Sequence, residues 1–120
     1  MKKILVVEDD KFLSNAYHVK LTAQGYDVQE TPDGKSGMEL MESFGPDLVI
    51  LDLVMPGKDG FWFLEELSKN DKLKKIPVLV VTNLGEESDK EKVATYNVAD
   101  YLIKSDTSVE DLVARVKKFV

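Results

Sequence analysis

Runs of four to six mostly aliphatic residues alternate along the chain with longer stretches whose apolar residues recur at helical spacing. Lys3–Val7, Leu48–Leu51 and Pro77–Val81 are almost uniformly aliphatic, the pattern of strands covered on both faces. Tyr26–Glu30 is more polar, which suits a sheet edge, and Asp100–Ile103 supplies a further strand. Between these runs, the first helical stretch, about Lys11 to Gln24, puts Phe12, Leu13, Ala16, Val19, Leu21 and Ala23 mostly on one side and ends at Gly25. The second starts after Asp33, a capping residue, carries Met38 and Met41, and stops at Gly45-Pro46. The third runs from about Phe61 to Asn70; of Phe61, Trp62 and Phe63, two are expected in the core and one partly exposed. The fourth, Glu87 to Tyr96, is poor in apolar residues until Val93. The fifth, about Val109 to Phe119, follows a Ser108 cap and repeats Val109, Leu112, Val113, Val116 and Phe119 at helical spacing.

Strand then helix, five times over, predicts an α/β fold: a parallel sheet with helices on both faces. No repeat, linker or low-complexity stretch interrupts it, so residues 1–120 are expected to form one domain. In such sheets ligands bind beyond the carboxyl ends of the strands, near the point where strand order reverses. Those ends are where chemistry is expected.

Charge and composition narrow the field. Lys plus Arg is 16 against 22 Asp plus Glu, a net charge of −6, which argues against nucleic acid or an anionic membrane held by a basic face. Absence of cysteine excludes disulfides, thiol catalysis and cysteine metal sites. The apolar run at the start meets Glu8-Asp9-Asp10 too soon for an export signal, and no run approaches the ~20 residues that span a bilayer. A soluble, cytoplasmic chain is expected. His18, the only histidine, sits among polar neighbours and reads as a surface residue.

The strand ends carry the distinctive residues: Glu8-Asp9-Asp10, then Asp52, Thr82 and Lys104. Singly, each is an ordinary cap or solvated turn residue. Together, any three of these four carboxylates within several ångströms would repel by on the order of a few kcal/mol at an effective dielectric near 20. Lys104 and a hard divalent cation such as Mg²⁺ are the groups that offset such repulsion. With both in place, a carboxylate becomes able to attack a phosphoryl group.

The pieces Ile4-Leu5-Val6-Val7-Glu8-Asp9, Asp47 to Gly60 (through Leu51-Asp52 and Met55-Pro56-Gly57), Val80-Val81-Thr82 and Asp100-Tyr101-Leu102-Ile103-Lys104 resemble the receiver domains of bacterial two-component response regulators. The likeness spans essentially the whole chain, and it is specific because the pieces keep their order and spacing. It implies a flavodoxin-like, doubly wound five-stranded parallel sheet of order 2-1-3-4-5 with five helices. It implies that Asp52 is the phosphoacceptor and that Mg²⁺ is held by Glu8, Asp9, Asp52 and the backbone carbonyl of Val54. Thr82 would contact the phosphoryl group, Lys104 would pair with the acceptor and then the phosphate, and Tyr101 with Thr82 would form the switch. Asp10 lies beyond the acidic pair and reads as the cap of the first helix.

The implied partners are a sensor histidine kinase or phosphotransfer protein and a downstream effector at the face of the fourth helix, fifth strand and fifth helix. No direct contact with nucleic acid or membrane is implied, and the state is a monomer or a phosphorylation-dependent homodimer. Such a module is not an enzyme beyond promoting its own phosphorylation and dephosphorylation. The competing classes fit less well. A haloacid-dehalogenase-type phosphatase carries Asp-x-Asp after the first strand, whereas here the candidate nucleophile follows the third and reads Asp52-Leu53-Val54; a flavin carrier needs a Ser/Thr/Gly phosphate loop after the first strand, and none is there.

Two positions depart from the family pattern. Ser105 follows Lys104 where proline with a cis bond is usual; without proline a cis bond costs ~2.5–4 kcal/mol, which favours a trans loop unless the site forces cis, and the sequence leaves the two open. Asn83 follows Thr82 where a small residue is usual, adding bulk and a hydrogen-bonding side chain beside the site.

Overall fold

The computed structural model describes all 120 residues. Its strands are β1 (Lys3–Val7), β2 (Asp27–Thr31), β3 (Leu48–Leu51), β4 (Val78–Thr82) and β5 (Val98–Ile103). They form one sheet of order β2-β1-β3-β4-β5, with every neighbouring pair parallel. The helices are α1 (Lys11–Ala23), α2 (Gly34–Ser43), α3 (Gly60–Ser68), α4 (Glu87–Val93) and α5 (Val109–Phe119), with short 3-10 turns at Leu73–Lys75 and Lys104–Asp106. This is the doubly wound arrangement expected, with the polar β2 at one edge.

Alternation along the strands divides the core into two layers, because successive side chains point to opposite faces. Ile4, Val6, Leu48, Ile50, Leu79 and Val81 pack with Tyr17 and Leu21 of α1 and Leu112 and Val116 of α5. Leu5, Val7, Val49, Leu51, Val78 and Val80 pack with Met41 of α2, Phe63, Leu64 and Leu67 of α3, and Val93 of α4. Fully burying a side chain such as Leu or Phe stabilises by about 1.5–3 kcal/mol, so both layers contribute heavily.

Two apolar faces differ from expectation. In α1 the buried stripe is Ser14, Tyr17 and Leu21, while Phe12 is 87% and Val19 54% exposed. Two residues along a helix is a rotation of about 200°, so seating Ser14 and Leu21 on the sheet turns Phe12 and Val19 outward. Of the three aromatic residues that open α3, only Phe63 is buried. Its stripe continues through Leu64 and Leu67, leaving Phe61 and Trp62 half-buried on the flanks. There the Lys92 ammonium lies 5.5 Å from the Phe61 ring and that of Lys58 5.4 Å from the Trp62 ring.

The fourth helix stops at Val93, short of Tyr96, whose hydroxyl instead donates to Glu65 at 2.6 Å. β5 starts earlier than its apolar run: Val98 pairs with Val78 and Asp100 with Leu79, so Ala99 is an extra residue in the ladder. No peptide bond is cis, so Lys104–Ser105 runs trans.

Candidate functional site

Strand register brings the acids together. Val7 pairs with Leu51, so the next residues, Glu8 and Asp52, emerge side by side at the carboxyl edge of the two central strands. Their backbones are fixed by the ladder: Asp52 N–H donates to the Val7 carbonyl and Glu8 N–H to the Thr31 carbonyl, each at 3.0 Å. Thr82 pairs with Ile103 at the ends of β4 and β5, which delivers Lys104 one residue later to the same edge. The Lys104 ammonium lies 2.7 Å from Asp52 Oδ2 and 2.7 Å from Glu8 Oε1.

The three carboxylates Glu8, Asp9 and Asp52 each offer an oxygen, and these lie within 4.8 Å of one another. Glu8 and Asp52 are 4% and 5% exposed, whereas Asp9 is open to solvent. Asp10 does what its position predicts: its carboxylate accepts the Leu13 N–H at 3.1 Å and caps α1. Its own N–H donates to Glu8 Oε2, and the Val54 N–H donates to Asp52 Oδ1 at 3.2 Å.

Three acids against one lysine leave negative charge uncompensated, and burial adds to the cost of holding it. Burial pushes the Glu8 carboxyl up to about 7, helped by the charge of Asp52 and opposed by its bonds from Lys104 and Asp10. For Lys104, burial works against the charged form, but bonds to Asp52 and Glu8 outweigh it and hold the ammonium above its usual range. Tyr17, buried on α1, has its hydroxyl pushed up to about 12 by burial first and by the Glu8 charge second. These hard oxygen donors, with one exposed and two buried carboxylates and too little positive charge, fit a divalent cation that retains water.

The acceptor loop is shaped by glycines. Gly57 holds a φ of +72°, a conformation that favours glycine. A Cβ on Gly60 would lie 2.4 Å from the Asp52 carbonyl oxygen and 2.6 Å from Leu53 Cα, so only glycine lets α3 start directly against the Asp52 backbone. Gly60 N–H closes the contact onto the Leu53 carbonyl at 3.1 Å.

Thr82 is fully buried, and its hydroxyl oxygen accepts the Leu84 N–H at 3.4 Å. Half-buried Tyr101 donates its hydroxyl to the Leu84 carbonyl, and the Lys90 ammonium of α4 lies 5.9 Å from its ring. Asp52, Val54, Thr82, Asn83, Leu84 and Lys104 line a pocket of about 290 Å³. A larger depression of about 600 Å³, between the end of α3 and Val78, Tyr96 and Asn97, holds none of these residues. Two contacts were not expected from sequence: the second partner of Lys104 in Glu8, and the Ser105 N–H donated to Asn83 Oδ1 at 3.0 Å. His18 is half-exposed, with Nδ1 3.6 Å from a Glu30 carboxylate oxygen that also accepts from Ser14.

The architecture so built is a flavodoxin-like sheet with an acidic pocket over its carboxyl edge, the class to which signalling receivers belong. The family model described as "Response regulator receiver domain" matches residues 4–117, and the chain belongs to that family. It is 38% identical over 117 residues to the DNA-binding dual master transcriptional regulator RpaA of a Synechocystis strain, covering 98% of this chain and 48% of that protein. Among solved structures, the BeF3-activated N-terminal receiver domain of Klebsiella pneumoniae RstA superposes with a TM-score of 0.86 at 29% identity, covering 98% of this chain and 97% of that one. The Mn²⁺-bound form of response regulator Rcp1 superposes at 0.82 with 32% identity, covering 98% and 91%. The chain spans about half the length of the curated relatives it matches. No helix is long and apolar enough to cross a membrane. It is a receiver domain of two-component signalling, a signalling module with the acidic pocket at which such domains bind Mg²⁺.

Proposed function

We propose that residues 1–120 act as one receiver domain that takes a phosphoryl group on Asp52 from the phosphohistidine of a sensor kinase or phosphotransfer protein. The observation that carries this reading is the placement of Asp52: buried, at the floor of an open pocket, with Lys104 on one oxygen and two further carboxylates within 4.8 Å. An Asp52 carboxylate oxygen attacks phosphorus, the phosphorus–nitrogen bond of the donor breaks, and the donor imidazole leaves with the electron pair of that bond.

Glu8, Asp9, Asp52 and the Val54 carbonyl would hold Mg²⁺, with Glu8 acting through water. When bound there, the ion supplies positive charge to offset that of the phosphoryl oxygens. The Lys104 ammonium, already paired with Asp52, is placed to follow the charge onto the transferred group. Buried Thr82 supplies a hydroxyl whose proton is free to donate to a phosphoryl oxygen, because its oxygen is the acceptor in its bond to Leu84.

Thr82 moving toward the phosphoryl group carries the loop 83–86 with it, and Tyr101 follows through its bond to Leu84. The face of α4, β5 and α5 is thereby altered for an effector. Backbone amide resonances recorded on adding beryllofluoride with Mg²⁺ test this. Shifts should concentrate at residues 82–104, and shifts confined to the neighbours of Asp52 would contradict the switch.

A further inference from the structure

We infer that Asn83 and Ser105 form a clasp that sets the position of the Thr82 loop over the phosphoryl pocket, with Asn83 a positioning residue for the reaction. The inference rests on the receiver reading of the site. Asn83 follows Thr82 and Ser105 follows Lys104, so one hydrogen bond of 3.0 Å joins the residues next to the two groups assigned to the phosphoryl oxygens. It spans 22 positions of sequence and ties the end of β4 to the end of β5 across the pocket mouth, where Asn83 and Lys104 both line the wall.

The two halves depend on each other. Ser105 contributes its backbone N–H, which a proline at that position lacks. Asn83 contributes a side-chain carbonyl, which a small residue lacks. The two departures of this chain from its family's pattern are therefore the two ends of one bond, and either alone leaves a partner unused.

Little else holds this loop. The remaining hydrogen bonds of residues 83–85 are Leu84 N–H to Thr82 Oγ1 at 3.4 Å and Tyr101 hydroxyl to the Leu84 carbonyl, while the Glu86 carbonyl accepts the Asp89 and Lys90 N–H groups that open α4. α4, which follows, buries only Val93 and has no side-chain cap. A loop so lightly anchored must be ordered whenever the pocket fills, and the clasp completes part of that ordering in advance.

The test is a double-mutant cycle on beryllofluoride affinity in saturating Mg²⁺. Asn83→Ala and Ser105→Pro should each weaken binding by about three- to tenfold, the range of one net hydrogen bond. The double variant should bind no more weakly than the weaker single one. Ser105→Ala, which keeps the backbone N–H, should bind like the parent. The Ser105 amide should also exchange faster in Asn83→Ala than in the parent, with little change in thermal midpoint because both residues are exposed. Additive losses, a Ser105→Ala variant that behaves like Ser105→Pro, or single variants that all bind like the parent would overturn the clasp alone. A parent chain that binds no beryllofluoride would overturn the receiver-site reading and the clasp with it.

Discussion

Glu8, Asp52 and Lys104 share a buried contact in which charge does not balance, and Glu8 carries most of the consequence. Its carboxyl is raised from 4.5 to about 7, chiefly by burial. A group that binds its proton more readily when folded contributes stability at pH below about 4.5 and loses it as pH rises to about 7. In the metal-free protein, stability should therefore fall across that window, by a few kcal/mol at most for a shift of this size. Urea titrations at several pH values check this: Glu8→Gln should flatten the slope and be more stable than the parent above pH 7. A slope unchanged in that variant would place the titration elsewhere. Because Mg²⁺ replaces the proton, affinity for the ion should rise over the same interval in the parent. At this scale, Asp52, Thr82 and Lys104 were legible because they follow aliphatic runs, and parallel pairing sends every such residue to one edge. The influence of the Glu8 charge on Tyr17 was not, since it depends on how α1 packs against the sheet. The Asn83–Ser105 bond was visible only as two separate anomalies, because one end is a backbone N–H that sequence does not distinguish.

Capping and burial distinguish α5 from α4. Ser108 and Asp111 form a reciprocal capping box, Glu110 and Asp111 lie in the first turn, and Lys117 and Lys118 lie in the last. α5 also buries Leu112 and Val116, whereas seven-residue α4 follows Glu86, which makes no side-chain cap. Ser108→Ala should lower global stability by about 1 kcal/mol, and Glu86→Ala should change it by less than about 0.5 kcal/mol. Equilibrium denaturation measures both; equal losses would mean that α4 is anchored as firmly as α5. The caps at Asp10, Asp33 and Ser108 were readable from residue type and position alone. The outward turn of Phe12 and Val19 was not, because α1 carries two competing apolar stripes. Only the packing of Tyr17 and Leu21 against the sheet and α5 decides between them.

Across the whole molecule, the two-layer sheet does one task for the site: it fixes four strand ends at one edge. β1 and β3 are covered on both faces and hold Glu8 and Asp52 in register. β4 and β5 bring Thr82 and Lys104 to the same edge, and the lightly anchored α4 lies on the side that the proposed switch would move. Sheet order and layering followed from the alternation of runs together with the family likeness; the Ala99 irregularity in β5 did not, since an extra ladder residue leaves no mark in the sequence. The central claim is that Asp52 receives the phosphoryl group with the help of a divalent cation. Mass spectrometry of the intact chain and its peptides, after incubation with a phosphorylated histidine kinase or phosphoramidate, measures it directly. The expected result is a single phosphoryl group on Asp52, stable in acid and labile in base, formed with Mg²⁺ but not with a chelator and absent from Asp52→Asn. Label that persists in Asp52→Asn, or that forms equally well without the ion, would contradict the account.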